Sequence, residues 1–138
     1  MEGAKDLDRI VEDWSKDLTN VPIGPLGIIA MPGCEEIGKK INNWLMQWRD
    51  LNNCEFFDTE YFTVPGGDRD DFLIKAYCPR FGTGESKGMI KESVRGYDIY
   101  IIVDVTAYNI TYKMYDMVVP MSPDDHYSDL KRIIAAIA

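Results

Sequence analysis

An α/β fold built from a mixed or parallel sheet flanked by helices, with a β-hairpin attached, is predicted by three observations. The short apolar run LGIIAM is followed by a Pro-Gly turn and then by apolar residues at helical spacing: strand, turn, helix. The segment DFLIKAYCPRF alternates Phe72, Ile74, Ala76 and Cys78 with Leu73, Lys75 and Tyr77, the period of two that marks a strand. Residues 99–105 are almost continuously apolar and β-branched, as in a strand buried on both faces. With 138 residues, 46% of them hydrophobic, the chain has material for one domain with a sizeable core. A single domain spanning 1–138 is expected.

The elements follow in order. Leu7, Ile10, Val11, Trp14 and Leu18 fall on one helical face, with Asp6, Asp8, Glu12, Asp13 and Asp17 elsewhere around the helix. Pro22, Gly24 and Pro25 break this first helix. After LGIIAM, a second helix carries Ile37, Ile41, Trp44, Leu45 and Trp48 at i, i+4, i+7, i+8 and i+11. The tryptophans, at helical spacing, are read as core residues. Residues 52–71 have no clean period and hold a Pro-Gly-Gly turn, so they read as an irregular connection with one short strand in EYFTV. Next come the alternating strand, the loop FGTGESKG, a short strand in MIKE, and the apolar strand. Ser122 is a good N-cap for a last helix, with Pro123 at the first position, Asp125 three residues on, and Leu130, Ile133, Ile134 and Ile137 forming its apolar face. A βα unit with no strand after it leaves a parallel sheet unfinished, and a fragment of a longer protein is expected.

Charge and special residues exclude several classes. A net charge of −8 gives no electrostatic basis for general binding to nucleic acid or to acidic membranes, although small anions can still be held locally. No apolar run approaches the 18 or so residues of a span, and the N-terminus lacks the apolar stretch of a signal peptide, so a cytoplasmic protein is expected. Cys34, Cys54 and Cys78 have no paired metal-ligand spacing and read as reduced thiols. His126 is the only histidine, which argues against a multi-histidine metal centre. Asn109-Ile110-Thr111 fits a glycosylation sequon, but a cytosolic chain does not meet that machinery. Pro32-Gly33, before the second helix, reads either as a plain turn or as a place where N–H groups meet an anion. Asp104 ends a strand, where ligands gather in α/β folds.

The glycine-rich stretch RFGTGESKG raises the functional question. A phosphate-cradling loop lies between a strand and a helix and follows G-x-x-x-x-G-K-[ST]; this one lies between two strands and lacks that pattern. Two readings stay open on composition. One is an ordinary hairpin turn in which Gly82 and Gly84 supply positive φ. The other is a nucleobase site: Phe81 offers a stacking face, and Thr83 and Glu85 offer groups that hydrogen-bond to an amino group such as adenine's.

The run RFGTGESKGMIKESVRGYDIYII resembles the N-terminal domain of ribose-phosphate pyrophosphokinase, the phosphoribosyl pyrophosphate synthetase family. There an R-F-S-D-G-E-like turn leads through a short strand into E-x-V-R-G-x-D-I-x-I-I. Arg80, Phe81, Gly84, Glu85, Glu92, Val94, Arg95, Gly96, Asp98 and Ile99 carry the match, with looser agreement over 27–48 and 122–138. The resemblance implies a phosphoribosyltransferase-like fold and transfer of the β,γ-diphosphoryl group of ATP to the anomeric hydroxyl of ribose 5-phosphate, with magnesium, in nucleotide biosynthesis. It implies that the turn reaches the active site of a neighbouring subunit in a homo-oligomer, with Phe81 stacking on adenine and Thr83 and Glu85 at its edge. It also places Ser93 and Arg95 at a regulatory phosphate site on a subunit interface; for Arg95 a surface ion pair is equally compatible. Met89, Ile90 and Tyr97 are apolar and offer interface area beside the hairpin.

The chain also departs from the family. Thr83 stands where Asp or Asn is usual, and Val103-Asp104 replaces the usual Gln-Ser or Gln-Thr. Segments 52–71 and 110–121 look like insertions. The family's Arg-Gln adenine loop, its flag loop and its D-D-x-x-x-T-G-G-T ribose phosphate loop have no match; in the family all lie downstream. The resemblance therefore puts no catalytic residue and no metal ligand in this chain. A non-catalytic nucleotide-sensing or regulatory module of the same fold is the alternative.

Overall fold

A computed structural model describes residues 24–55 and 69–138. The first predicted helix, Trp14 and the strand in EYFTV lie outside them. The described residues form a mixed α/β structure of two helices and small parallel and antiparallel sheets.

Strand β1 (Leu26–Ala30) ends in the Pro32-Gly33 turn and feeds helix α1 (Glu35–Glu55). Glu35 and Glu36 sit in its first turn, where the helix dipole favours negative charge. Glu35 also accepts the Gly33 N–H at 2.9 Å, so the candidate anion position at this turn is filled by the chain's own carboxylate. The helix continues to Glu55, into the segment expected to be irregular.

β1 lies between two parallel neighbours. On one side it pairs with β4 (Asp98–Ile102), Leu26 opposite Asp98 through Ala30 opposite Ile102. On the other, Ile28 N–H donates to Phe72 O and Ile74 N–H donates to Ile28 O, both at 2.8 Å, around a parallel bridge between Ile28 and Leu73. Beyond Ile74 the alternating segment changes partner: β2 (Ala76–Tyr77) pairs antiparallel with β3 (Met89–Ile90). β5 (Thr111–Met114) and β6 (Met117–Pro120) form a second hairpin within the stretch read as an insertion. Helix α2 (Pro123–Ile137) closes the described chain. Its start follows the sequence: the Ser122 side chain accepts from Asp125 N–H, while Asp125 accepts from Ser122 N–H, a reciprocal capping box with proline in the first turn.

The core lies between the sheet and α2. Ile29, Met31, Ile74 and Ile133 are buried together, and Ile90, Val94, Tyr97, Ile99, Ile101 and Ile137 pack around them. On the opposite face α1 rests on β1 through Gly38. A Cβ there would meet the Ala30 Cβ at 2.7 Å, so glycine sets how closely helix and strand approach. One turn on, buried Asn42 accepts the Phe72 N–H at 2.9 Å and ties α1 to the neighbouring strand.

This seating of α1 corrects one expectation. Trp44 is 68% exposed, and Ile37, Ile41 and Trp48 are exposed as well. The face that meets the sheet is Cys34, Gly38 and Asn42, selected by close approach and by a backbone hydrogen bond. The apolar stripe points to one side of it. β4 differs similarly from a strand buried on both faces: Ile99 and Ile101 pack toward α2, while Tyr100, on the other face, is exposed. Ile134 on α2 is exposed too, because the buried stripe of that helix runs through His126, Asp129 and Ile133.

Candidate functional site

The first hairpin extends beyond its two formal strands. Lys91 N–H donates to Lys75 O and Lys87 N–H to Pro79 O, both at 3.0 Å, and Arg80 and Ser86 form an antiparallel bridge. Residues 81–85 are the loop at its tip. Within the loop Phe81 N–H donates to Glu85 O at 2.7 Å and Gly84 N–H to Phe81 O at 2.9 Å. Gly84 has φ of +90°, a conformation that favours glycine, and a Cβ there would lie 3.1 Å from the Met114 sulfur. The neighbouring hairpin supports the loop: Tyr115, at the β5–β6 turn with φ of 52°, donates its N–H to Gly82 O at 3.2 Å.

With the loop backbone bonded inward, its side chains point out. Phe81 is 57% exposed, and Thr83 and Glu85 are exposed beside it. The three residues proposed from sequence for a nucleobase thus share one short loop. Phe81 also walls a shallow open cleft lined by Lys87, Arg132 and the small residues Gly88, Ala135 and Ala136. Ser93 and Arg95 lie on a different turn, between β3 and β4, and both are exposed.

Beneath the loop is a charged cluster. The Arg80 side chain is only 9% exposed. Its Nη2 donates to Asp129 Oδ2 at 3.0 Å, its Nη1 donates to Gly84 O at 2.8 Å, and Asp125 Oδ1 lies 3.5 Å from Nη1. The guanidinium also sits over the Tyr112 ring, 4.2 Å from its centre. Asp129, 2% exposed, accepts a hydrogen bond from Ser86 Oγ through its other oxygen. One buried carboxylate on α2 therefore holds both feet of the loop. Sequence reasoning missed Asp129. The available signal was its place four residues before Ile133, on the apolar stripe of α2.

The remaining candidates have local partners. Asp104, exposed at the end of β4, accepts from Thr106 Oγ at 2.7 Å and Thr106 N–H at 2.9 Å. These two bonds, the hydroxyl's first, hold its carboxyl below the usual range. His126 is buried, with Nε2 3.0 Å from Ala107 O; a carbonyl only accepts, so Nε2 carries the proton. Burial, followed by the nearby Asp129 charge, pushes the Cys78 thiol up to about 11, and burial also raises Cys34. Both are thiols in an environment that keeps them protonated at neutral pH. Among the described residues no group of three histidine, cysteine, aspartate or glutamate side chains could hold a metal ion, and no helix is long and apolar enough to cross a membrane.

Comparison with protein-family models, with curated proteins and with solved structures gives no match for this chain.

Proposed function

We propose that this chain is the N-terminal part of a ribose-phosphate pyrophosphokinase and that its first hairpin presents an adenine-binding loop to the active site of a neighbouring subunit. The observation that carries the proposal is the conjunction of motif and shape. The ordered run from Arg80 to Ile99 that resembles the family contains a loop whose backbone is bonded inward and whose Phe81, Thr83 and Glu85 face solvent. A phosphoribosyltransferase-like fold belongs to the same proposal; the parallel strands around β1, with a helix on each face, support it.

Each side chain has a role set by its chemistry. The Phe81 ring stacks on the base, a contact worth about 1–3 kcal/mol. Glu85 accepts from the exocyclic amino group. Thr83 contributes a shorter, uncharged hydroxyl where the family usually carries Asp or Asn, so the adenine edge loses a carboxylate or amide contact there. Lys87 and Arg132 in the adjoining cleft favour an anionic ligand even though the chain as a whole is acidic. In the reaction the anomeric oxygen of ribose 5-phosphate bonds to the β-phosphorus of ATP as the bond to the α-phosphate oxygen breaks, and AMP leaves. Magnesium neutralises the phosphate charge in such transfers; as the resemblance implies, its ligands are expected outside this chain. This chain contributes base binding and orientation, which accelerate transfer by holding ATP in register with the acceptor. At the second position, Ser93 and Arg95 offer a hydroxyl and a guanidinium to a regulatory phosphate.

The chain alone is expected to be inactive, so the test is synthesis of phosphoribosyl pyrophosphate from ATP and ribose 5-phosphate by the purified full-length protein that carries it, compared with its Phe81→Ala variant. The expected result is an apparent ATP affinity weakened roughly 5- to 150-fold, the equivalent of the stacking term, with ribose 5-phosphate little changed. An unchanged ATP affinity would return residues 80–85 to an ordinary hairpin turn. ATP binding that depends on Phe81 without any synthesis would favour a nucleotide-sensing module.

A further inference from the structure

The exposed tip of the first hairpin stands on a buried charged cluster that a surface turn does not require. The shape of a hairpin turn is set by its backbone bonds and turn residues. Here the two residues that flank the loop, Arg80 and Ser86, are bridged to each other and also bonded to the two oxygens of a single carboxylate, Asp129, on a different element. The guanidinium of Arg80 is engaged on several sides: by Asp129, by the loop carbonyl of Gly84, by Asp125 and by the face of Tyr112. The β5–β6 hairpin adds a contact from above, Tyr115 N–H to Gly82 O.

Burying a guanidinium and a carboxylate is costly, and an apolar pair of the same volume often stabilises a fold as well or better. What this arrangement adds is fixed geometry. A planar guanidinium and a carboxylate with both oxygens engaged define the directions of their partners, which apolar packing does not. The residues placed by this geometry are Phe81, Thr83 and Glu85, whose side chains are exposed.

We propose that Asp129 is a positioning residue for the ligand-binding loop: it fixes both feet so that the Phe81 ring is presented before any nucleotide arrives. In its ligand the inference rests on the adenine reading given above; in its structural claim it does not. A pre-ordered loop loses less conformational freedom on binding, so the clamp raises affinity without touching the ligand. Arg80 is the link, since it bonds at once to Asp129 and to the loop carbonyl of Gly84.

Two measurements on the protein test this, each with Asp129→Asn, which keeps shape and removes charge. The first is amide hydrogen exchange without ligand. Phe81 and Gly84, whose N–H groups close the loop, are expected to exchange at least tenfold faster in the variant, while amides of β1 and β4 are unchanged. Unaltered loop exchange in a folded variant overturns the proposal. The second, on the full-length protein, is a double-mutant cycle on ATP affinity with Phe81→Ala. Asp129→Asn alone is expected to weaken ATP about tenfold, and to add less than twofold when Phe81 is already alanine. An equal loss in both backgrounds shows that Asp129 acts through general stability and overturns the proposal. Phe81→Ala without effect on ATP removes the adenine reading, while the exchange result still decides the clamp. If Asp129→Asn does not fold, Tyr112→Leu takes its place in both measurements: it withdraws the ring from the guanidinium while leaving the carboxylate, and is expected to shift both in the same direction by a smaller factor.

Discussion

Replacing Arg80 with methionine keeps the aliphatic stem and deletes the guanidinium, and the cost follows from what is left behind. Asp129 loses its 3.0 Å partner in a site where the carboxylate is almost wholly enclosed, and keeps only the Ser86 hydroxyl. Asp125, whose carboxylate lies 3.5 Å from the same guanidinium, keeps its bonds from Ser122 but becomes a second negative charge beside Asp129 with no guanidinium between them. Removing one partner of a buried ion pair costs roughly 3–5 kcal/mol, against roughly 0–1 for a pair in solvent. The loss of the Gly84 carbonyl bond adds about 1 kcal/mol, while the remaining hydroxyl and incoming water offset part of the total. A net loss of roughly 3–4 kcal/mol is therefore expected. That is a large share of the roughly 5–15 kcal/mol that holds a domain of this kind folded. Urea unfolding followed by far-UV circular dichroism measures it directly, and the slope should stay constant while the midpoint falls. Arg80→Met combined with Asp129→Leu removes both charges and should recover most of the loss, since the penalty comes from an orphaned charge more than from the missing bond. A single-variant loss below about 1 kcal/mol, the value for solvent-screened pairs, would refute the reasoning.

Two further outcomes concern residues outside the charged cluster and a third concerns its Asp125. Ile90 packs against the cluster of Ile29, Ile74 and Ile133, so Ile90→Asp should unfold or strongly destabilise the chain; a folded variant that merely dissociated on light scattering would place Ile90 on the interface expected from sequence. Gly38→Ala puts a Cβ 2.7 Å from that of Ala30 and should cost about 1–3 kcal/mol as α1 is pushed off β1, read as a lower urea midpoint. At Asp125, burial alone would raise the carboxyl, but the bonds from Ser122 N–H and Oγ, together with Arg80 and His126, outweigh it and hold the group below the usual carboxylate range. A carboxyl depressed in the folded state stabilises fully above its unfolded value of about 3.9 and loses that contribution as pH falls through the folded value. Asp125→Asn should therefore flatten the acid limb of a pH–stability curve below about pH 4 and leave its neutral limb parallel to wild type.

Elements were legible in the sequence where local chemistry and tertiary demand agree. Ser122, Pro123 and Asp125 cap α2 because a capping box is a property of four consecutive residues, whatever packs nearby. The alternation of Phe72, Ile74, Ala76 and Cys78 survived even though the segment changes partner after Ile74, since both neighbours draw on the same inward face. α1 shows the opposite case. Its strongest periodic signal, Ile37 to Trp48, is not the face that meets the sheet, because Gly38 lets the backbones approach and Asn42 answers a backbone N–H that an apolar residue would leave unpaired. Hydrophobicity ranks transfer from water; it does not register the room that a glycine makes or an amide's bond.

The same limit explains what was hidden at the candidate site. Phe81, Thr83 and Glu85 could be nominated because exposed loop chemistry is written in consecutive residues. Asp129 was missed although its place on the stripe of Ile133 was a signal, since a carboxylate in a helix is normally assigned to solvent, and its partners lie 49 and 43 positions away at Arg80 and Ser86. Only the placement of α2 beneath the hairpin makes that charge affordable, and once α2 is placed the preference reverses: the buried arginine requires a carboxylate at that position. Tyr112 and Tyr115 came to light the same way, through a hairpin in 111–120 that the sequence marked only as an insertion. A hairpin that carries a ring over the guanidinium and an N–H to Gly82 O is a support for the loop, and its removal should loosen residues 81–85 while leaving β1 and β4 paired.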